Sequence, residues 1–358
     1  MSKSGTSVSD NLEQVRVKNR RSNRLASPFR SKSILSATLF LACALTCAEA
    51  DPKSDSITGF PKELHEQKEW KPGKKVAVCF VLYVEVWGFG QGPNFRDDMA
   101  VRNPDLVNEA FRQYAIDFGI ERTGRVFQEE DVPLSIALNA LFPVQQPEVW
   151  NKFRASVPKG PIIAHGMNNS SALLPMGHGL SEQQDYVKKT LDLIEKHTGV
   201  RPKGWTSPSV YFNADTFRAC ASNGIVYTLD SMDSDNLAVL KTPEGKLELI
   251  PYPPVTVDMG QYLGRNYQPE DMERLWTSYV NELAREAEKY PDRGATVVAI
   301  GLHPFVVGTP NGAAALRRTL EALKKQQTVW LTDVEAVVQA SGFRKQLAGS
   351  DARTTEKN

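Results

Sequence analysis

The chain has 358 residues, 41% of them apolar and 24% charged, and its 43 Lys plus Arg stand against 42 Asp plus Glu. This composition excludes collagen, coiled coil and wholesale disorder. A balanced charge also argues against polyanion binding, because phosphate recognition needs clustered cations, so nucleic acid is not an expected partner.

The first fifty residues depart from that balance, with eight Lys or Arg against three acids. Basic residues from Arg16 to Lys32 precede an apolar run, Ile34 to Thr46, that ends in Ala48-Glu49-Ala50. Basic region, short apolar region and small-residue cleavage site are the parts of a secretory signal peptide. Since a membrane span needs about 20 apolar residues, the pattern predicts cleavage near Ala50, a secreted or periplasmic protein and no stable span. An uncleaved anchor is the alternative. Cys43 and Cys47 would leave with the signal. Cys79, in an apolar run, and Cys220, after a helical segment, then read as buried free thiols.

Residues 51–74 read as an irregular lead-in, residues 75–345 as one domain and residues 346–358 as a polar tail. Lys75 to Val84 is a nearly continuous, β-branched apolar run, as expected for a strand covered on both faces. Asp105 to Phe118 has helical spacing closed by Gly119. The alternation continues with a strand over Leu134 to Leu138, a helix over Pro147 to Ala155, a strand over Pro161 to Ala164 and a helix over Ser181 to His197. Ser181 and Gln184 form a capping-box pattern for that helix, and Gly199 stops it. A strand-like Arg201 to Gly204 and a helix over Ala214 to Ser222 come next, then strands over Ile225 to Leu229 and Leu247 to Pro251. A long helix over Pro269 to Tyr290, a strand over Ala295 to Leu302, a helix over Gly312 to Lys325, a strand over Thr328 to Leu331 and a helix over Val334 to Ala340 complete the pattern. Strands alternating with helices predict an α/β fold of mainly parallel strands, open or closed into a barrel.

In an α/β barrel, sites gather where strands end. Glu85 follows the first strand, His165 the third and His303 the strand Ala295 to Leu302. A carboxylate and imidazoles at one rim suit hydrolysis, the first activating water and the second protonating a leaving nitrogen. His65 reads as a surface residue, His178 as a loop residue, and His197 as a helix-end residue favoured by the dipole. Gly88, Gly90 and Gly92 lack the context of a dinucleotide or phosphate loop.

Four fragments, Ile163-Ala-His165-Gly166, His197 to Trp205, Ile250-Pro-Tyr252 with Asp258-Met259, and Gly301 to Pro310, resemble the polysaccharide-deacetylase (NodB-homology) family. They are most similar to its branch of metal-independent allantoinases and related peptidoglycan deacetylases. The resemblance runs from about Val76 to Val337. It implies a distorted, incomplete (β/α) barrel and hydrolysis of a non-peptide C–N bond, usually in an acetylated polysaccharide. It also implies catalytic roles for Glu85, His165 and His303, and substrate contacts from Asn169, Trp205, Asp230 and Asp235; Trp205 reads equally as an aromatic that stacks on a substrate ring or as a core aromatic, and Asp230 and Asp235 read as loop caps in the alternative. Metal-dependent members use Asp and H-x-x-x-H. Here Glu85, His165 and Asn169 occupy those positions, and an amide is a poor ligand for zinc-like ions. No cofactor is expected, or at most a weakly held divalent metal on Glu85 and His165. The leading expectation is a polysaccharide N-deacetylase-like hydrolase; an allantoinase-like cyclic amide hydrolase and an inactive glycan-binding protein remain open.

Overall fold

The computed structural model describes residues 57–92, 102, 104–157, 159–171 and 178–342. The signal segment, Cys43, Cys47 and the tail at 346–358 lie outside the described residues.

Strand β1 (Lys62–Leu64) precedes β2 (Val76–Val84), whose nine residues are all buried. Helix α1 (Leu106–Tyr114) runs through a π-helical turn, Ala115–Gly119, into α2 (Ile120–Glu129). Then come β3 (Ser135–Leu138), α3 (Phe142–Gln145), α4 (Pro147–Ser156), β4 (Ile162–Ala164), α5 (Leu180–Thr198), β5 (Gly204–Trp205) and α6 (Ala214–Ser222). Strands β6 (Tyr227–Thr228), β7 (Ala238–Thr242) and β8 (Gly245–Leu249) lead to α7 (Asp258–Arg265) and α8 (Pro269–Lys289). The chain continues with β9 (Thr296–Leu302), α9 (Pro304–Val307), α10 (Pro310–Lys324), β10 (Val329–Thr332) and α11 (Val334–Ala340).

The strands form one curled sheet around β2. Strand β9 runs beside β2 from Val76 to Leu82, so the other edge of β2 is divided, with β10 on Val76–Cys79 and β3 on Val81–Val84. From β3 the parallel order continues through β4, β5 and β6 to β8, after which β7 and β1 pair antiparallel. Single backbone bonds meet the far edge of β9, where Ala295, Val297 and Ala299 donate to Gln67 (2.6 Å), Asp235 (3.0 Å) and Pro251 (2.9 Å). The result is the expected incomplete α/β barrel.

Because side chains alternate across a strand, β2 serves two cores. Ala77, Cys79, Val81 and Tyr83 face an inner cluster with Ile163, Tyr227, Tyr252 and Val297, while Val76 to Val84 in alternate register pack against the helices. Trp70 and the α11 residues Val334, Val337 and Val338 join the inner cluster. Burial pushes the Cys79 and Cys220 thiols up, as befits free cysteines in a core.

Four local expectations change. Gly119 does not stop a helix: the chain passes through it, and a Cβ there would lie 2.4 Å from the Pro304 carbonyl oxygen, so the glycine serves close packing. Ser181 lies inside α5, which begins without a side-chain cap at Gly179, although Gly199 ends it at φ 72° as expected. Residues 62–64 of the lead-in are a strand. His65 is half-buried, 3.4 Å from the fully buried Glu248. Among the described residues, no helix is long and apolar enough to cross a membrane.

Candidate active site

Glu85 continues β2 in the inward register of Tyr83, and its side chain is 3% exposed. Its Oε1 accepts from the Asn169 amide nitrogen and lies 3.1 Å from His165 Nε2. His165 Nδ1 lies 2.8 Å from the Thr206 carbonyl oxygen. A carbonyl only accepts, so Nδ1 carries a hydrogen, and the contact at Nε2 places a second shared hydrogen between ring and carboxyl. Burial would push the Glu85 carboxyl up, but His303, His165 and Asn169 outweigh it and hold it below the usual carboxylate range. The second oxygen, Oε2, is buried and accepts no hydrogen bond among the described residues.

On the other side of Oε2 stands His303, its Nε2 3.8 Å away. Asp258, at the start of α7, accepts from the His303 ring at Nδ1 (2.6 Å) and from its backbone N–H (2.7 Å). Desolvation disfavours the imidazolium, yet Asp258 and Glu85 together raise the His303 pKa above its ordinary value. Burial likewise pushes Asp258 up, opposed by the His303 ring and backbone. Tyr83 lies between the two histidines, stacked on His303 (4.9 Å, 6° between planes) and edge-on to His165 (4.8 Å, 74°). Gly301, two residues before His303, leaves room for Tyr252: a Cβ would fall 2.3 Å from that hydroxyl oxygen.

Glu85, His165, Asn169 and His303 are therefore brought together. The other expected site residues are not all there. Asp230 is buried behind the rim, where it accepts from the Ser207 backbone N–H (2.9 Å) and hydroxyl (2.7 Å) and so secures the turn that carries Thr206. Burial raises its pKa to about 6, against the Ser207 hydrogen bonds and the nearby His165. Trp205 does not stack on a ring in the site. It is 2% exposed, packs in the outer core and donates its Nε1–H to Ser207. Asp235 lies far from Glu85, because its carbonyl pairs with Val297, six residues and about 20 Å along the strand from His303. His178 and His197 are exposed, clear of the cluster.

Three residues escaped sequence reasoning. Asn139, fully buried directly after β3, touches Val86, His165 and Asn169. Reading the residue after every strand, rather than three of them, would have found it. Asp258 was visible only inside a family-like fragment, and Tyr83 hides in an apolar run.

As hydrogen-bonded here, Glu85, His165 and Asn169 present few open lone pairs to a zinc-like ion. Such an ion needs lone pairs converging at about 2.0–2.2 Å. Glu85 Oε1 and His165 Nε2 already share a hydrogen, and Asn169 turns its NH2 to Glu85 while its Oδ1 accepts from Asn139 (3.2 Å). An N–H donor offers a cation nothing. Among the described residues, no group of three or more His, Cys, Asp or Glu could hold a metal ion. A small cavity adjoins Glu85, lined by Tyr83, Trp87, Arg112, Ile116, Ile120 and Phe305 among others.

No protein-family model matches the chain, and no curated protein matches it. Solved structures do. A probable polysaccharide deacetylase from Pseudomonas aeruginosa PAO1 superposes with a TM-score of 0.66 at 20% identity, covering 77% of this chain and 94% of that one. The Puue allantoinase superposes with a TM-score of 0.65 at 21% identity, covering 77% and 93%. The chain thus has the incomplete α/β barrel fold shared by these two proteins.

Proposed function

We propose that the protein hydrolyses a non-peptide carbon–nitrogen bond of an amide without a bound transition metal. The carrying observation is the open Oε2 of an ionised Glu85 facing the Nε2 of a histidine held by Asp258. A water beside Oε2 gives its proton to Glu85 as its oxygen attacks the carbonyl carbon. His303 then gives the Nε2 proton to the leaving nitrogen as the C–N bond breaks. Glu85 is left protonated and His303 neutral, and proton transfer between them resets the site. His165, expected from sequence to be catalytic, and Asn169, expected to contact the substrate, both donate to Glu85 Oε1. Their role is to hold the base and leave its other oxygen open.

The substrate favoured by the fold likeness is an acetamido group on a polysaccharide, and the signal-like first fifty residues support an exported enzyme that meets it outside the cytoplasm. A small cyclic amide is the second reading, favoured by the fold likeness to the Puue allantoinase.

The test uses the chain from Asp51 onward, with acetate release from chitin oligomers and peptidoglycan measured beside ring opening of allantoin, before and after chelation. Turnover of one substrate, insensitive to chelation and lost in Glu85→Gln, is the expected result. Glycan binding with no turnover of any substrate would overturn the enzymatic reading. Activity lost on chelation and restored by zinc would overturn the metal-free one.

A further inference from the structure

We infer that Asn139 is a positioning residue that locks the base, Glu85, to its two hydrogen-bond donors by tying together the ends of three strands. Its side chain is fully buried and its orientation is dictated from two sides. The Val86 N–H donates to Oδ1 (2.9 Å), and the His165 carbonyl accepts from Nδ2. A backbone N–H only donates and a carbonyl only accepts, so a flipped amide would leave both unsatisfied. With Nδ2 so placed, its second hydrogen meets Asn169 Oδ1 (3.2 Å), and the opposite end of Asn169, its NH2, meets Glu85.

The backbone repeats the connection. Asn139 donates its N–H to Val84 (3.1 Å), Ala140 to Gly166 (2.9 Å) and Asn169 to Val86 (3.0 Å). One amide therefore touches the peptide after Glu85, the carbonyl of His165 and the side chain of Asn169. It reaches none of the reacting atoms. Its effect travels through Asn169 and His165 to the aim of Glu85 Oε2.

The inference rests on Glu85 being the base, and the experiment separates the two. Asn139→Ala removes the tie. Asn139→Asp keeps the size and the acceptor for Val86, but the carboxyl group offers at most one hydrogen where the amide supplies two. In both variants kcat should fall about tenfold to a hundredfold with KM little changed, the cost of a small misplacement of a catalytic group. Adding either substitution to Asn169→Leu should cost clearly less than the two single losses multiplied, because the two share the path through Asn169. Independently of activity, the Asn169 side-chain NH2 protons should exchange with solvent about tenfold faster or more in the Asn139 variants, as the anchor at Oδ1 is lost. Folded variants with wild-type kcat, losses that multiply across the pair, or unchanged Asn169 exchange would each overturn the inference. Should the wild-type chain turn over no substrate, the base assignment fails and the exchange measurement still decides the role of Asn139.

Discussion

The two histidines of the rim are equally buried, lean on the same tyrosine and turn Nε2 to the same Glu85, yet their Nδ1 atoms have different partners. His165 gives its Nδ1 hydrogen to a backbone carbonyl, and His303 directs the same atom at a carboxylate. A carbonyl fixes ring orientation. A carboxylate does that and also favours the charged ring. The half of the site built on β2, β3 and β4 therefore aims Glu85, while the half built on α7 and β9 prepares an acid whose charge also helps to ionise Glu85. Each half can be damaged without the other.

The largest effect should come from the group both halves serve. Glu85→Gln keeps the shape and removes the basic oxygen, and kcat should fall by about a thousandfold or more, within the range general bases contribute. A steady-state assay checks this. A residual activity of half the wild type would show that the two halves do not meet at Glu85.

Asp258→Asn comes next and strikes only the acid half. Without the carboxylate, His303 loses the larger of the two charges that raise its pKa. We expect kcat/KM to fall about a hundredfold, again the scale of one acid–base partner. The pH profile should show which limb moved. In the wild type Glu85 acts ionised and its pKa is depressed, so the acid limb lies below the ordinary carboxylate value of about 4.3. His303 acts protonated and its pKa is raised, so the alkaline limb lies above about 6.5. Asp258→Asn should move the alkaline limb down and leave the acid limb in place. His165→Gln, a smaller lesion of about tenfold, should do the converse and move the acid limb up, because Glu85 loses a donor and a charge that favour its ionised form.

The same contrast explains what was legible in the sequence. Strands β2 and β9 stood out because both faces are covered and the apolar run is unbroken. Strands β7 and β1 did not: they are an antiparallel edge, short, partly exposed and carrying Lys62, Glu63 and Lys241. In the site, the rule that sites follow strand ends reached Glu85, His165 and His303. It could not reach Asp258, which opens a helix and meets His303 across 45 residues. Nor could spacing show that Trp205 faces outward, since a two-residue strand gives too little alternation to fix its face.

The smallest effect should come from a residue the sequence placed in the site and the structure does not. Asp235 is exposed, its carbonyl pairs with Val297, and its carboxylate accepts from the Tyr279 hydroxyl at 3.3 Å. Asp235→Asn keeps the backbone bond and an acceptor for Tyr279, so stability should change by no more than about 0.5 kcal/mol. Burial chiefly, and then the Asp235 charge, push the Tyr279 hydroxyl pKa up, so its titration should move down in the variant. That shift, read by ultraviolet absorbance, would confirm that the substitution acted where intended. With kcat and both pH limbs unchanged, it would confine the chemistry to the rim where the two halves meet. A displaced limb would instead mean that charge at the other end of β9 reaches Glu85 or His303, and that the two halves do not account for the site.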